Sequence, residues 1–159
     1  MITQNLADAL RFTFDDLIAN RTGQFSDAQR TRLRLDLLRE TVFYGIVALL
    51  PFGGLLFLLS NPVNSPLLLL IFALLTVVFV ISIVRHFQAT RADLAGATLS
   101  AAGRVERHAM GRGFYRLRID QQNFQITAKE YGAFSDGKSY RVYYLPRLRM
   151  ILSAELIES

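Results

Sequence analysis

The chain has 159 residues, 52% of them hydrophobic, with a formal net charge of +5 and no cysteine. That length suits one small domain with appendages rather than two full domains. The lack of cysteine excludes disulfides, thiolate zinc sites, cysteine-ligated iron–sulfur clusters and a cysteine nucleophile, and it fits a reducing compartment.

In residues 4–19, Leu6, Leu10, Phe14, Leu17 and Ile18 share one face at helical spacing, with Asp8, Arg11, Asp15 and Asp16 mostly elsewhere. This predicts a helix ending near Asn20, with Gly23 of NRTG as a left-handed stop. Arg11 is the only cation beside three aspartates, so the polar face lacks the basic character of helices that lie in a lipid interface. The apolar face is therefore expected to pack on protein. Ser26 followed three residues later by Gln29 reads as a capping box, with Asp27 adding charge that suits a helix start. From there one helix is expected to run through RTRLRLDLLRE into the first apolar run, with Arg30, Arg32, Arg34 and Arg39 at headgroup level.

Residues 41–59 and 67–84 carry no charge at all. As helices at ~1.5 Å per residue, each covers roughly 27–28 Å, close to the ~30 Å hydrocarbon core of a bilayer. A chain this short has too little mass to wrap two helices that are apolar on every face, so membrane spans are expected rather than core helices. The linker SNPVNSP at 60–66 holds Pro62 and Pro66 and is too short for anything but an antiparallel hairpin. Residues 1–40 carry six arginines, residues 85–159 carry ten arginines and two lysines, and the linker has none. That asymmetry predicts an inner-membrane protein with both flanking regions in the cytoplasm, and it accounts for the basic pI without nucleic acid. No secretory signal is expected, because the first apolar run begins forty residues in. Pro51, Gly53 and Gly54 inside the first span predict a kink and a surface where a neighbouring helix can approach closely.

After a linker at 86–101 the period changes to two. GRVERHAM, FYRLRID, FQITA, YRVYYL and MILSAEL read as five strands, punctuated by GRG at 111–113, QQN at 121–123 and SDGK at 135–138, with KEYGAF irregular. In FYRLRID, Tyr115, Leu117 and Ile119 face one way while Arg116, Arg118 and Asp120 face the other. Five short strands favour a small, partly closed barrel of OB or SH3 type, since closure removes exposed edges. The expected fold class is an α+β membrane protein: a helical segment at 1–40, a hairpin at 41–85 and a β-barrel at 102–159.

The chemistry-bearing residues are sparse. His86, at the end of the second span, reads as an interfacial anchor rather than a pigment or haem ligand, and His108 as a strand surface residue. Acidic residues of the C-terminal part stand singly, with no carboxylate pair at useful spacing. Ser135, Ser139 and Ser153 lack a nucleophile-elbow context. Neither span holds an ionisable residue that would mark a proton or ion path. No catalytic residue, metal or cofactor is expected. Arg116, Arg118, Arg141, Tyr143, Arg147 and Arg149 form a candidate contact surface. Beside an anionic leaflet, such arginines suit lipid headgroups or a protein partner better than single-stranded nucleic acid.

The segment DDLIANRTGQFSDAQRTRL (15–33) fits a DL-x-x-NR-x-G-x-x-S-x-x-Q pattern, and YRVYYLPRLRMILSAE (140–155) a YRVYY-x-P ending. With these two stretches the chain resembles uncharacterised bacterial membrane proteins that combine a two-helix hairpin with a small β-domain. The layout is also similar to short NfeD-type proteins, which end in an OB-type domain, although no NfeD-specific motif is present. The resemblance implies an architecture and assigns no residue a role. The functional expectation is a non-catalytic accessory subunit of a larger membrane complex, with hetero-complex contacts favoured over self-association. A membrane-tethered adaptor that meets anionic headgroups is the alternative.

Overall fold

The computed structural model describes residues 4–60, 65–109, 111 and 113–157. The N-terminal stretch forms two helices where one is expected: α1 (Gln4–Leu10) and α2 (Phe14–Arg21). Arg11 takes a positive φ of 56°, which ends α1. Thr13 then restarts the helix as an N-cap, with its hydroxyl accepting from Asp16 N at 3.2 Å while Asp16 accepts from Thr13 N at 2.8 Å. The break rotates the apolar face. Leu6, Leu10 and Leu17 are buried as expected, but Phe14 and Ile18 are exposed.

Helices α3 (Asp27–Ser60) and α4 (Pro66–Ala95) follow, and α3 continues through Pro51. Most of the SNPVNSP linker, Asn61 to Asn64, lies outside the described residues. Both helices are long and apolar enough to cross a membrane, and no residue of their most apolar windows is buried. These helices therefore do not act as the core of a soluble fold. In water, each half-exposed Leu, Ile or Phe along them would cost about 1 kcal/mol. They run antiparallel: Glu40 meets His86 at one end, and Gly54 faces Phe72 farther along.

The rest of the chain gives β1 (Leu99–Arg104), β2 (Glu106–Ala109), β3 (Tyr115–Ile119), β4 (Gln122–Ile126), α5 (Ala128–Ala133), β5 (Ser139–Tyr144) and β6 (Ile151–Leu156). The expected five-stranded, partly closed barrel is not formed. Among the described residues, six strands make two three-stranded antiparallel sheets, ordered β1-β5-β6 and β2-β3-β4. Two features prevent closure. GRVERHAM is cut in two at Val105, whose N–H and C=O leave the ladder to bond Lys138 O and Gly137 N, both at 2.9 Å. KEYGAF, expected to be irregular, is α5, started by a Thr127–Glu130 capping box; it carries the chain from one sheet to the other instead of a hairpin that would pair β4 with β5. Of the predicted turns, SDGK turns at Gly137 (φ 73°) as expected, the β3–β4 turn falls on Asp120–Gln121 rather than QQN, and Arg112 of GRG lies outside the described residues.

The chain divides into two compact units, Met1–Thr31 with Ala92–Ser159, and Arg32–Arg91. In the first unit, one core joins both sheets to α1 and α2: Leu117, Ile119 and Phe124 meet Val142, Tyr144 and Ala154, with Leu6 and Leu17 added from the helices. The Phe124 and Tyr144 rings meet edge to face at 5.0 Å. β6 is buried along nearly its whole length because the N-terminal helices cover the side that an edge strand would otherwise expose.

Candidate functional site

The residues of the N-terminal pattern meet in one polar knot. Asp16 accepts from Thr13 N and from the Ser26 hydroxyl, and Ser26 Oγ in turn accepts from Gln29 N at 3.0 Å. Only half of the expected Ser26–Gln29 capping box forms, since both polar atoms of the buried Gln29 side chain lack partners among the described residues. Asn20 Nδ2 donates to Ser153 Oγ at 2.7 Å, and Asn20 O accepts from Thr98 Oγ1 at 3.2 Å. Gly23 adopts φ 79°, which turns its carbonyl toward Thr98 N at 3.0 Å. Arg21 pairs with Glu155, which also accepts from Tyr143 Oη at 2.8 Å and lies 3.8 Å from Arg141.

Glu155 is the electrostatic centre of this knot. Burial alone would push its carboxyl up. Hydrogen bonds from Arg21 and Tyr143, with the charges of Arg21 and Arg141, overcome that and hold it below the usual carboxylate range. Burial and the hydrogen bond to Glu155 raise Tyr143, and the Glu155 hydrogen bond raises Arg21. The result is a fixed carboxylate that accepts from a neutral phenol and a cation. It is a structural clasp that ties α2 to β5 and β6.

A second clasp holds the β5–β6 turn. Asp93, 1% exposed in the last turn of α4, accepts from Arg147 N at 3.2 Å and Leu148 N at 2.8 Å. The turn closes on itself through Leu145 N to Met150 O at 3.0 Å and Arg149 N to Leu145 O at 2.8 Å, with Arg149 at φ 52°. Pro146, Arg147, Arg149 and Met150 are left exposed on a braced backbone.

The six candidate contact residues do not form one surface. Arg116 and Arg118 lie on the outer face of β3, Arg141 on β5, and Arg147 and Arg149 in the braced turn. Tyr143 is only 4% exposed, so it belongs to the clasp and not to a contact surface. Arg116 and Arg118 share an open groove of ≈ 460 Å³ with His108, Ala109, Gln121 and Asn123.

In the second unit, His86 Nε2 lies 3.0 Å from Glu40 Oε2, and its ring is 5.6 Å from that of Tyr44. Tyr44, Phe79, Ser82, Ile83 and His86 line a pocket of ≈ 230 Å³. A Cβ added to Gly54 would overlap the Phe72 ring, whereas one added to Gly53 would meet nothing within 4 Å. The close approach is thus made within the hairpin, at Gly54. Among the described residues, no group of three or more His, Asp or Glu side chains is placed to hold a metal ion.

Asn20, Asp93, Ser153 and Glu155 carry these arrangements; the sequence marked Asn20 only as a helix end in the DL-x-x-NR pattern and Ser153 only as a serine without nucleophile context, and it did not single out Asp93 or Glu155. Asp93 alone gave a signal, since an acidic residue in the last turn of a helix opposes the macrodipole and implies a local partner. No family model, curated protein or solved structure matches this chain.

Proposed function

We propose that this chain is a non-catalytic accessory subunit of a larger bacterial membrane complex, set in the inner membrane with both flanking regions in the cytoplasm. The Asp93-braced turn is the observation that carries the reading. Arginine and methionine are enriched at protein interfaces, and a loop already held in its bound shape loses less conformational freedom on docking. Arg147, Arg149 and Met150 fit that description: they are exposed, adjacent and carried on a backbone fixed by a buried carboxylate. The hairpin supports the same role, since the unburied apolar surface of α3 and α4 has to meet lipid or other membrane helices. The Arg21–Glu155–Tyr143 clasp serves cohesion, because it ties α2 to β5 and β6 within one folded unit.

Purification from native membranes in mild detergent, followed by mass spectrometry, is expected to recover a stoichiometric membrane partner. Arg147→Glu with Arg149→Glu is expected to release that partner without changing the melting temperature. Asp93→Ala should weaken recovery about tenfold or more, because it removes hydrogen bonds to a charged acceptor and frees the turn. A chain that runs alone as a monomer defeats the reading.

A further inference from the structure

The outer face of the β2-β3-β4 sheet is rich in donors that the fold leaves unused. The strand register places Glu106, Arg118 and Asn123 on one rung and His108, Arg116 and Gln125 on the next. Glu106 lies 3.5 Å from Arg118, offsetting part of its charge, and 3.9 Å from His108 Nε2. Arg116 has no ion-pair or hydrogen-bond partner among the described residues. The β3–β4 connection adds a second, independent observation. Asp120 and Gln121 form a two-residue turn with both φ values positive, 45° and 63°, a shape that asparagine and glycine adopt with less strain. Both positions are strained, and Gln121 is the one of the two that lines the groove with Arg116, Arg118 and Asn123. Non-glycine residues kept in the left-handed region cluster where a side chain is needed for function.

We propose that this groove binds the headgroup of an anionic phospholipid, with Arg116 and Arg118 taking the phosphate and the Gln121 and Asn123 amides taking headgroup hydroxyls. Guanidinium groups suit a phosphodiester because their donors form a planar fork. Among the described residues, His108 is the only aromatic side chain lining the groove that could stack a base, which disfavours single-stranded nucleic acid. The proposal rests on α3 and α4 lying in a bilayer, since tethering to a membrane gives the groove a high effective concentration of lipid. It does not depend on the accessory-subunit reading.

The test uses the full chain in an uncharged detergent, with NMR of the His108 ring and the Arg116 and Arg118 guanidinium signals. The probes are dihexanoyl phosphatidylglycerol, dihexanoyl phosphatidylcholine, inorganic phosphate and oligo-uridine RNA. These water-soluble lipids read the groove itself, so they separate its failure from a failure of membrane insertion. Phosphatidylglycerol is expected to shift the three residues saturably and more tightly than the other probes. Arg116→Gln with Arg118→Gln should weaken its binding roughly thirtyfold, with an unchanged melting temperature because both residues are exposed. Gln121→Gly should raise the melting temperature yet weaken binding severalfold, a pairing that a merely structural role would not produce. Equal binding of phosphatidylcholine, full reproduction of the shifts by inorganic phosphate, or tighter binding of RNA would each overturn the lipid assignment. No saturable shift with any probe would overturn the site.

Discussion

Asn20 Nδ2 donates to Ser153 Oγ at 2.7 Å, joining residues 133 positions apart in sequence on either side of the hairpin. Through this bond, and the Arg21–Glu155 pair beside it, the segment before the hairpin and the strand at the far end of the chain belong to one folded unit. Both partners are buried, so losing either leaves an unmet polar group. Asn20→Ala is expected to cost about 1–3 kcal/mol, lowering the melting temperature of the detergent-solubilised chain by roughly 5–15 °C. The double variant Asn20→Ala with Ser153→Ala should lose little more than either single one. Fully additive losses in such a cycle would show that the two side chains do not act as a pair.

The Glu155 clasp predicts a stability plateau with two edges. Glu155 has a lowered pKa in the folded chain, so its contribution is complete above the unfolded value of about 4.3 and fades as pH falls through the lower, folded value. Tyr143 has a raised pKa, so its contribution is complete below about 10 and fades as pH rises through the raised value. Melting temperature measured against pH should fall on both sides. Glu155→Gln should flatten the acid edge and weaken the alkaline one, because its carboxylate helps raise Tyr143; Tyr143→Phe should remove the alkaline edge and weaken the acid one, because its hydroxyl helps lower Glu155.

Gly54 and Gly53 offer a matched pair of substitutions in the hairpin. A side chain at Gly54 meets the Phe72 ring, while one at Gly53 meets open space. Gly54→Val should push the two helices apart at a cost of about 1–3 kcal/mol, and Gly53→Val should not. The native chain has no cysteine, so Glu40→Cys with His86→Cys can be joined by a short bifunctional maleimide without background. Cross-linking yield should drop with Gly54→Val and hold with Gly53→Val. Equal yields in the two backgrounds would show that Gly54 does not seat α4.

The parts legible in the sequence were those that depend on local periodicity. Two charge-free runs announce α3 and α4, and the alternation in FYRLRID places Leu117 and Ile119 inward as observed. The sequence also carried a signal for α5, since Thr127 and Glu130 have capping-box spacing, but the short polar segment KEYGAF has no apolar period to support it. Sheet closure was not legible. It depends on where Val105 leaves the ladder and on which strands pair across α5, and neither follows from a period-two pattern. The N-terminal pattern was visible as a motif, but its purpose was hidden because its partners Thr98, Ser153 and Glu155 lie far away in sequence. The same holds for Tyr143, whose alternation suggested a surface that the N-terminal helices and β6 cover.

The membrane hairpin with both flanks on one side is the claim on which the functional reading stands, and cysteine accessibility tests it most directly. Ser60→Cys lies at the end of α3 next to the linker, Ser139→Cys at the start of β5, and Gln4→Cys at the start of α1. In sealed cells, a membrane-impermeant maleimide should label Ser60→Cys from outside and leave Gln4→Cys and Ser139→Cys unlabelled until the membrane is opened. Labelling of Ser139→Cys from outside, or protection of all three until lysis, would contradict the account.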